Sequence, residues 1–371
     1  MIFPKNFEEK IEFDKIKALI QAECLCDMGK EEIQALCFSS DPTIIKSQTG
    51  LIAEFMRLMN ETSNEFPLDG YYDIRTYIKR IQTEGAYITE GELFELYRSI
   101  LAVGALVRFF RILEEQDFPL LIAFGNRVEA FPEITQYLSR ILDKYGNIKD
   151  SASTSLAQIR REKQVLNASI SKLISQIIRT AQSEGYIDKE CSPVLRDGRL
   201  VIPIAPAFKR KLGGIVHDES ATGKTVFVEP SQLVEVNNKI RELEADERRE
   251  IIKILIETAN FIRPHSEELL YSNHFLAETD ALRAKSIFST KIGARLTQCV
   301  EKPFIEWKNA IHPLLLLSFK ELNKEENIVP LNITLNEKQR ILLISGPNAG
   351  GKSVCIKTVG LLQYLWKEQI H

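Results

Sequence analysis

The sequence lacks long apolar runs, a secretory leader and any excess of basic residues. No stretch of its 371 residues approaches the ~20 consecutive apolar residues that a bilayer-spanning helix needs. The first twenty residues carry charges throughout, which is not the pattern of a signal peptide. Its 48 Lys and Arg residues are matched by 51 Asp and Glu, so a nucleic-acid partner would require a local basic patch. We therefore expect a cytoplasmic protein without a membrane partner.

Cysteine is scarce and irregularly placed. The six cysteines lie at positions 24, 26, 37, 191, 299 and 355, and their spacing fits neither a disulfide framework nor a zinc site. We expect them to be reduced thiols, as in cytosolic proteins.

A glycine-rich motif stands near the end of the chain. Residues 346–353 read "GPNAGGKS", which fits the phosphate-loop pattern G-x-x-x-x-G-K-[ST]. The apolar run 341–344 before it predicts a buried parallel strand, and the spacing after it predicts a helix. In such a loop Lys352 would reach the β- and γ-phosphates of ATP, and the Ser353 hydroxyl would bind Mg²⁺. The second "GKT", at 223–225, lacks the leading glycine and is interpreted as a turn.

Most of the chain has helical spacing, interrupted by one short β-rich segment. Residues 148–184 predict one long helix, and the charge-laced stretch after 231 predicts a second that resembles a coiled coil. Between them, turn dipeptides separate short β-rich runs at 200–202 and 226–228, which predicts a small antiparallel sheet. Thr89 and Glu92 form a capping-box pattern ahead of an apolar helix.

These patterns predict a mainly α, multidomain protein. Two long antiparallel helices, called the lever helices below, carry a small β insert, called the clamp, and an α/β P-loop nucleotide-binding domain begins after them. The predicted segments are a helical core at 1–147, a lever helix at 148–186, a β-rich clamp at 187–230, returning lever helices at 231–297 and a truncated ATPase domain at 298–371.

The predicted clamp contains a local excess of basic residues. Its candidate phosphate contacts are Arg196, Arg199, Lys209, Arg210 and Lys211, against a single acidic residue in the same stretch. A basic tip on paired helices suits a clamp on a polyanion. The alternative from spacing alone is a coiled-coil stalk with an ordinary solvated hairpin.

Several stretches together resemble the MutS family, and its MutS2 branch in particular. "GPNAGGKS" with "KTVGLL", "AIHPLL" and "LAETDALRAKSIF" are similar to the ATPase domain of MutS proteins and its entry segment. "VLRDGRLVIPI", "GGIVHDESATGKTVFVEP", "VNNKIRELEADERREI" and the N-terminal "FEEKIEFDKIKALI" are similar to MutS2 proteins. The resemblance covers essentially the whole chain.

The resemblance implies a homodimer that encircles branched or otherwise structured DNA, with an ABC-type ATPase domain at one end and clamps at the other. ATP and Mg²⁺ would be bound between the protomers. Carried onto this sequence, it assigns ATP to the loop and to an adenine contact at Ile328 or Val329. The loop residues are Gly346, Pro347, Asn348, Ala349, Gly350, Gly351, Lys352, Ser353 and Val354, with Ser353 as the Mg²⁺ ligand.

Two departures from the family keep alternatives open. The only early match to the mismatch-reading Phe and Glu of repair MutS proteins is Phe7-x-Glu9, which is more simply a helix surface. After the loop, no strand with paired acids and no signature loop follows, so we expect an N-terminal piece that does not hydrolyse ATP alone and has no catalytic residue. A mismatch-binding repair protein, a clamp on RNA or the ribosome, and a non-enzymatic coiled-coil protein remain alternatives, and so does a parent enzyme with nuclease activity.

Overall fold

The computed structural model describes residues 6–61, 65–188, 191–196, 198–297, 300, 302–347 and 351–367. Helices dominate this part of the chain, and small antiparallel sheets form its strands, as the sequence predicts. In the described ranges, no helix has both the length and the apolarity needed to cross a membrane.

The helices and strands follow one another in this order. The helices are α1 (Phe7–Lys10), α2 (Phe13–Gln21), α3 (Asp27–Gln34), α4 (Pro42–Glu61), α5 (Arg75–Ile81), α6 (Glu90–Arg111), α7 (Pro119–Gly125), α8 (Pro132–Ile141), α9 (Thr154–Ser183), α10 (Lys209–Leu212), α11 (Ser231–Ile262), α12 (Ser266–Lys291), α13 (Pro313–Glu321) and α14 (Lys352–Lys367). The strands are β1 (Val194–Arg196), β2 (Arg199–Ile204), β3 (Gly214–Glu219), β4 (Val226–Pro230), β5 (Ile305–Ala310) and β6 (Leu331–Leu335).

The chain divides into two compact units, each built from separate stretches of sequence. One unit comprises Met1–Lys79, Glu95–Thr135 and His265–His371, and the other comprises Arg80–Phe94 and Gln136–Pro264. In the second unit, Thr89 and Glu92 form the predicted capping box. The Glu92 amide donates to the Thr89 hydroxyl at 3.3 Å, and the Thr89 amide donates to the Glu92 carboxylate at 2.8 Å.

An aromatic cluster forms the core of the first unit. Phe110 is buried, and the rings of Phe66, Phe124 and Phe275 meet it edge-on at centroid distances of 5.9 to 6.4 Å. Helix α12 contributes Phe275 and packs against α2, α3 and α4. It is buried on most of its faces, which explains why its sequence shows no clear apolar stripe.

Helices α9 and α11 pack side by side in the second unit and run antiparallel. The start of α9 meets the later part of α11, where the Ser153 hydroxyl donates to Glu250 at 2.7 Å and Arg160 donates to Glu247 at 2.7 Å. Further along α9, Ile170 packs in one cluster with Ile240 from the earlier part of α11. These are the two long helices that the sequence predicts, and they form the predicted antiparallel pair.

A four-stranded antiparallel sheet lies between α9 and α11 in the sequence, in the order β1-β2-β4-β3. The predicted strand runs lie within β2 and β4, and the predicted turns contain glycines with positive φ at Gly198, Gly213 and Gly223. Gly223 and its neighbours form the turn between β3 and β4, which confirms the turn predicted at this "GKT".

The expected parallel strand at 341–344 is wrong for the described structure. Among the described residues no strand pairs with it, and Ile341 and Leu343 are 89% and 88% exposed. The strands of this region are instead the antiparallel pair β5 and β6. A buried parallel strand requires neighbouring strands and helices over both faces, and the described residues supply neither around 341–344. The start of an α/β ATPase domain is therefore not shown.

Candidate functional site

The glycine-rich loop leads directly into a helix, as predicted. Gly346 and Gly351 have φ values of 146° and 81°, a region that side-chain-bearing residues rarely adopt, and α14 begins at Lys352. The Lys352 ammonium donates to the Gly346 carbonyl across the loop. Asn348, Ala349 and Gly350 lie outside the described residues.

The ends of the loop are open to solvent. Pro347, Gly351, Ser353 and Val354 are exposed, so the Ser353 hydroxyl and the first turn of α14 can be reached by a ligand. A lysine and a hydroxyl at the start of a helix, behind glycines in unusual conformations, are the donor set expected for phosphate and Mg²⁺.

The predicted adenine contacts, Ile328 and Val329, precede β6. Val329 is 91% exposed, whereas Ile328 is half-buried. Their contact with a nucleotide stays a prediction.

The predicted basic patch is divided between two faces of the small sheet. Lys209, Arg210 and Lys211 are consecutive on α10 and exposed. Phe208 and Leu212, which flank these three residues in the sequence, pack against Val226 and Val228 of β4. This contact places the three residues on the face of the sheet to which Val226 and Val228 point. We call Lys209, Arg210 and Lys211 the α10 basic cluster.

Arg196 lies on the other face. Its guanidinium stacks 4.5 Å from the ring centroid of Phe227, and Phe227 alternates with Val226 and Val228 along β4. Successive side chains of a strand point to opposite faces, so Arg196 is separated from the α10 basic cluster by the sheet.

Arg199 is engaged inside the sheet rather than presented at its surface. Its Nη1 lies 2.8 and 2.9 Å from the two carboxylate oxygens of Glu229, and its Nη2 donates to Asn238 at 2.8 Å. The Arg199 side chain is 16% exposed and that of Glu229 is 0% exposed. In the structure Arg199 therefore binds side chains of the protein itself, and its contact with phosphate stays a prediction.

Glu229 is the centre of a network that the sequence analysis missed. It also accepts a hydrogen bond from Asn237 at 2.7 Å and lies 2.6 Å from His217 Nε2. Burial raises the pKa of Glu229, but the hydrogen bonds from these neighbours outweigh burial and hold the pKa below its ordinary value. The network ties β2, β3, β4 and α11 together. The available signal was one acidic residue within the otherwise apolar strand "VFVEP".

The basic residue Lys211 also contacts aromatic rings. Its ammonium lies 4.9 Å from the Tyr186 ring centroid and 6.0 Å from that of Phe208, and the two rings stack on each other. These cation–π contacts place the Lys211 ammonium against the two rings, while the residue as a whole is exposed.

Comparison with known proteins gives relatives along nearly the whole chain. No protein-family model matches it. Endonuclease MutS2 of Geobacillus sp. is 32% identical over 357 residues, which is 95% of this chain, and Endonuclease MutS2 of Caldanaerobacter subterraneus is 32% identical over 365 residues, or 96%. The chain belongs to the MutS2 branch of the MutS family. Endonuclease MutS2 of Halalkalibacterium halodurans is a further relative, 30% identical over 97% of the chain.

The matched part is less than half of each MutS2 relative. The chain spans 44 to 45% of their lengths. The endonuclease activity in their names is a property of those longer proteins. In this MutS2-family chain, the glycine-rich loop and the small sheet are the two candidate sites that the described residues present.

Proposed function

We propose that this MutS2-family chain binds DNA through the α10 basic cluster and ATP with Mg²⁺ through residues 346–354, as part of an ATP-dependent, homodimeric DNA clamp. One observation carries the DNA proposal. The α10 basic cluster is exposed, and no salt bridge among the described residues holds Lys209, Arg210 or Lys211, whereas Arg199 nearby is fully engaged with Glu229. Exposed cations that no carboxylate neutralises are the ones available to phosphate.

The form of the DNA is the finer part of the proposal. The sheet is carried by two antiparallel helices, and a homodimer would present two such sheets to one duplex or to the arms of a branched DNA. The kinship with proteins named endonuclease supports DNA as the polyanion. Arg196, on the opposite face of the sheet, would contact phosphate only where DNA passes that face as well.

A substitution of the α10 basic cluster tests DNA binding. We expect the triple variant Lys209→Gln, Arg210→Gln, Lys211→Gln to bind a fluorescent four-way junction at least tenfold more weakly than the wild type in 100 mM salt. Glutamine keeps part of each aliphatic stem and removes the charge. Fluorescence anisotropy should be used to compare the dissociation constants of three probes of equal length: a DNA junction, a DNA duplex and a single-stranded RNA.

The matched control removes the same charge elsewhere. Lys46, Lys79 and Lys338 are exposed lysines of the first unit, and the triple variant with glutamine at these positions should bind DNA like the wild type. If both triple variants lose affinity equally, the effect is net charge and the proposed surface is wrong. Tighter binding to RNA than to DNA would favour the RNA alternative.

Nucleotide binding by the loop is tested separately. We expect a fluorescent ATP analogue to bind the purified chain with Mg²⁺, and Lys352→Ala to weaken that binding at least tenfold, since the lysine is the one charged side chain within 346–353. We expect no hydrolysis by this chain alone. If Lys352→Ala binds the analogue as tightly as the wild type, the proposed role of the loop is wrong. If the wild type hydrolyses ATP and Lys352→Ala does not, the expectation of no hydrolysis is wrong.

A further inference from the structure

The helix that follows the phosphate loop is packed on the N-terminal helices. Leu361 and Leu365 of α14 are buried in one cluster with Phe13 and Ile16 of α2. Tyr364 is 3% exposed, and its ring is surrounded by aromatic rings. The centroid distances are 5.4 Å to Phe7, 4.9 Å to Phe13 and 5.8 Å to Phe38.

Two carboxylates of the N-terminal segment bind polar groups of the same helix face. The Tyr364 hydroxyl donates to Glu8 at 2.5 Å, and the Lys357 ammonium lies 3.3 Å from Glu12. Lys357 and Tyr364 are seven residues apart on α14, which places them on one face two turns apart. On the outer face, Ile356 is 62% exposed. The N-terminal segment therefore holds α14 along one side.

Glu12 stands at a constrained position in this contact. It links α1 to α2 with φ 61° and ψ 31°, a left-handed backbone conformation that is uncommon for a residue other than glycine. Such a conformation persists where the surroundings hold it, and it occurs often at functional positions. The Glu12 carboxylate is held by Lys15, 2.5 Å away, as well as by Lys357.

The contact is close to the loop along the helix. Lys357 follows Lys352 by five residues, or about 7.5 Å of helix rise. A helix turn is stiff over that distance, so a change in how the N-terminal segment holds α14 changes the position of Lys352 and Ser353 as well.

We propose that residues 7–21 are a positioning element for the phosphate loop. Glu8 and Glu12 hold α14 in place, so that docking of the N-terminal helices and nucleotide binding at Lys352 and Ser353 strengthen each other. The inference rests on the proposed nucleotide binding. Thermodynamic linkage makes this coupling reciprocal. If docking of the N-terminal helices raises the affinity for nucleotide by some factor, bound nucleotide raises the docking equilibrium constant by the same factor.

The first test uses variants of the two carboxylates. We expect Glu8→Gln with Glu12→Gln to weaken binding of a fluorescent ATP analogue about fivefold or more, a typical lower bound for coupled sites. Glu9→Gln is the matched control, because Glu9 is an exposed carboxylate of the same helix. Lys357→Gln should weaken binding as much as Glu12→Gln, and the two together should weaken it no further.

The second test needs no substitution. Hydrogen exchange of the wild-type chain should slow in residues 7–21 when Mg²⁺ and a non-hydrolysable ATP analogue are added, by the same factor that the carboxylate variants lose in affinity. A purely structural contact would change the stability of the variants without this nucleotide-dependent protection.

The outcomes separate the two proposals. A wild-type chain that binds no nucleotide overturns both the proposed nucleotide binding and this inference. Nucleotide binding that leaves exchange of residues 7–21 unchanged, or affinities of the carboxylate variants equal to that of Glu9→Gln, overturns the inference alone. Because the exchange measurement uses the wild type, a variant that fails to fold does not remove the test.

Discussion

Replacing Glu229 by alanine should loosen the small sheet. The variant leaves Arg199, 16% exposed, without its carboxylate partner, and it leaves Asn237 without an acceptor in a buried place. Removing one partner of a buried ion pair costs about 3–5 kcal/mol. The cost should fall on β2, β3, β4 and the start of α11, which the network joins, and not on the first unit.

Hydrogen exchange by mass spectrometry is the suitable assay, because it reports the free energy of opening for each segment. Since about 1.4 kcal/mol corresponds to a factor of ten, peptides from 199–230 should exchange at least a hundredfold faster in Glu229→Ala. Glu219→Gln, which changes an exposed carboxylate of the same sheet, is the control and should have no effect beyond about 0.5 kcal/mol.

A double-mutant cycle makes the reasoning sharper. Arg199→Met added to Glu229→Met should cost less than the sum of the two single changes, because each single change leaves the other charge unpaired. Additive costs, or unchanged exchange in Glu229→Ala, would refute the view that this pair organises the sheet.

Three further predictions concern the first unit. Gly29→Ala should destabilise it by about 1–3 kcal/mol, because the new Cβ would lie 2.3 Å from the buried Asp280 carboxylate. Gly104→Ala is the control, since its Cβ would find no atom nearer than 3.5 Å and should cause no such loss. Urea titrations followed by tryptophan fluorescence measure both free energies of unfolding. Burial lowers the pKa of His312 from its ordinary 6.5, so the folded protein favours the neutral imidazole. The unfolded chain therefore binds this proton more readily, and the free energy of unfolding falls as the pH drops below about 6.5. Melting temperatures at pH 7.5 and 5.5 should differ less in His312→Asn than in the wild type. Burial raises the pKa of Cys26 to about 12, so its alkylation at pH 8 should be at least a hundredfold slower than that of a free thiol until the chain is unfolded.

Sequence patterns located the helices and the small sheet well, because these elements depend on local spacing and turn chemistry. The helix predicted at 148–184 is observed as α9, although it begins only at Thr154, after a 3₁₀ turn at Asp150–Ala152. Gly185 follows its end with a positive φ. The turn glycines predicted the hairpins of the clamp for the same reason. Such features are determined by neighbours in the sequence.

Contacts between distant residues could not be predicted in this way. The sequence presented Arg199 as one basic residue among five, and only the fold shows Glu229, thirty positions later, beside it. The strand predicted at 341–344 is wrong although its local apolar pattern is that of a strand. Strand formation also depends on neighbouring strands, and the described residues provide none there. The packing of α14 on α2 joins residues more than 340 positions apart and left no local sign.

The salt dependence of DNA binding tests the central claim most directly. If Lys209, Arg210 and Lys211 of one sheet bind three phosphates, the logarithm of the association constant for duplex or junction DNA should fall with the logarithm of salt concentration. The slope should be about −2.7 for each sheet that contacts the DNA, or about −0.9 for each phosphate contact. The Gln triple variant should then have a slope close to zero. A wild-type slope near zero, or an unchanged slope in the variant, would contradict the assignment of this surface to DNA.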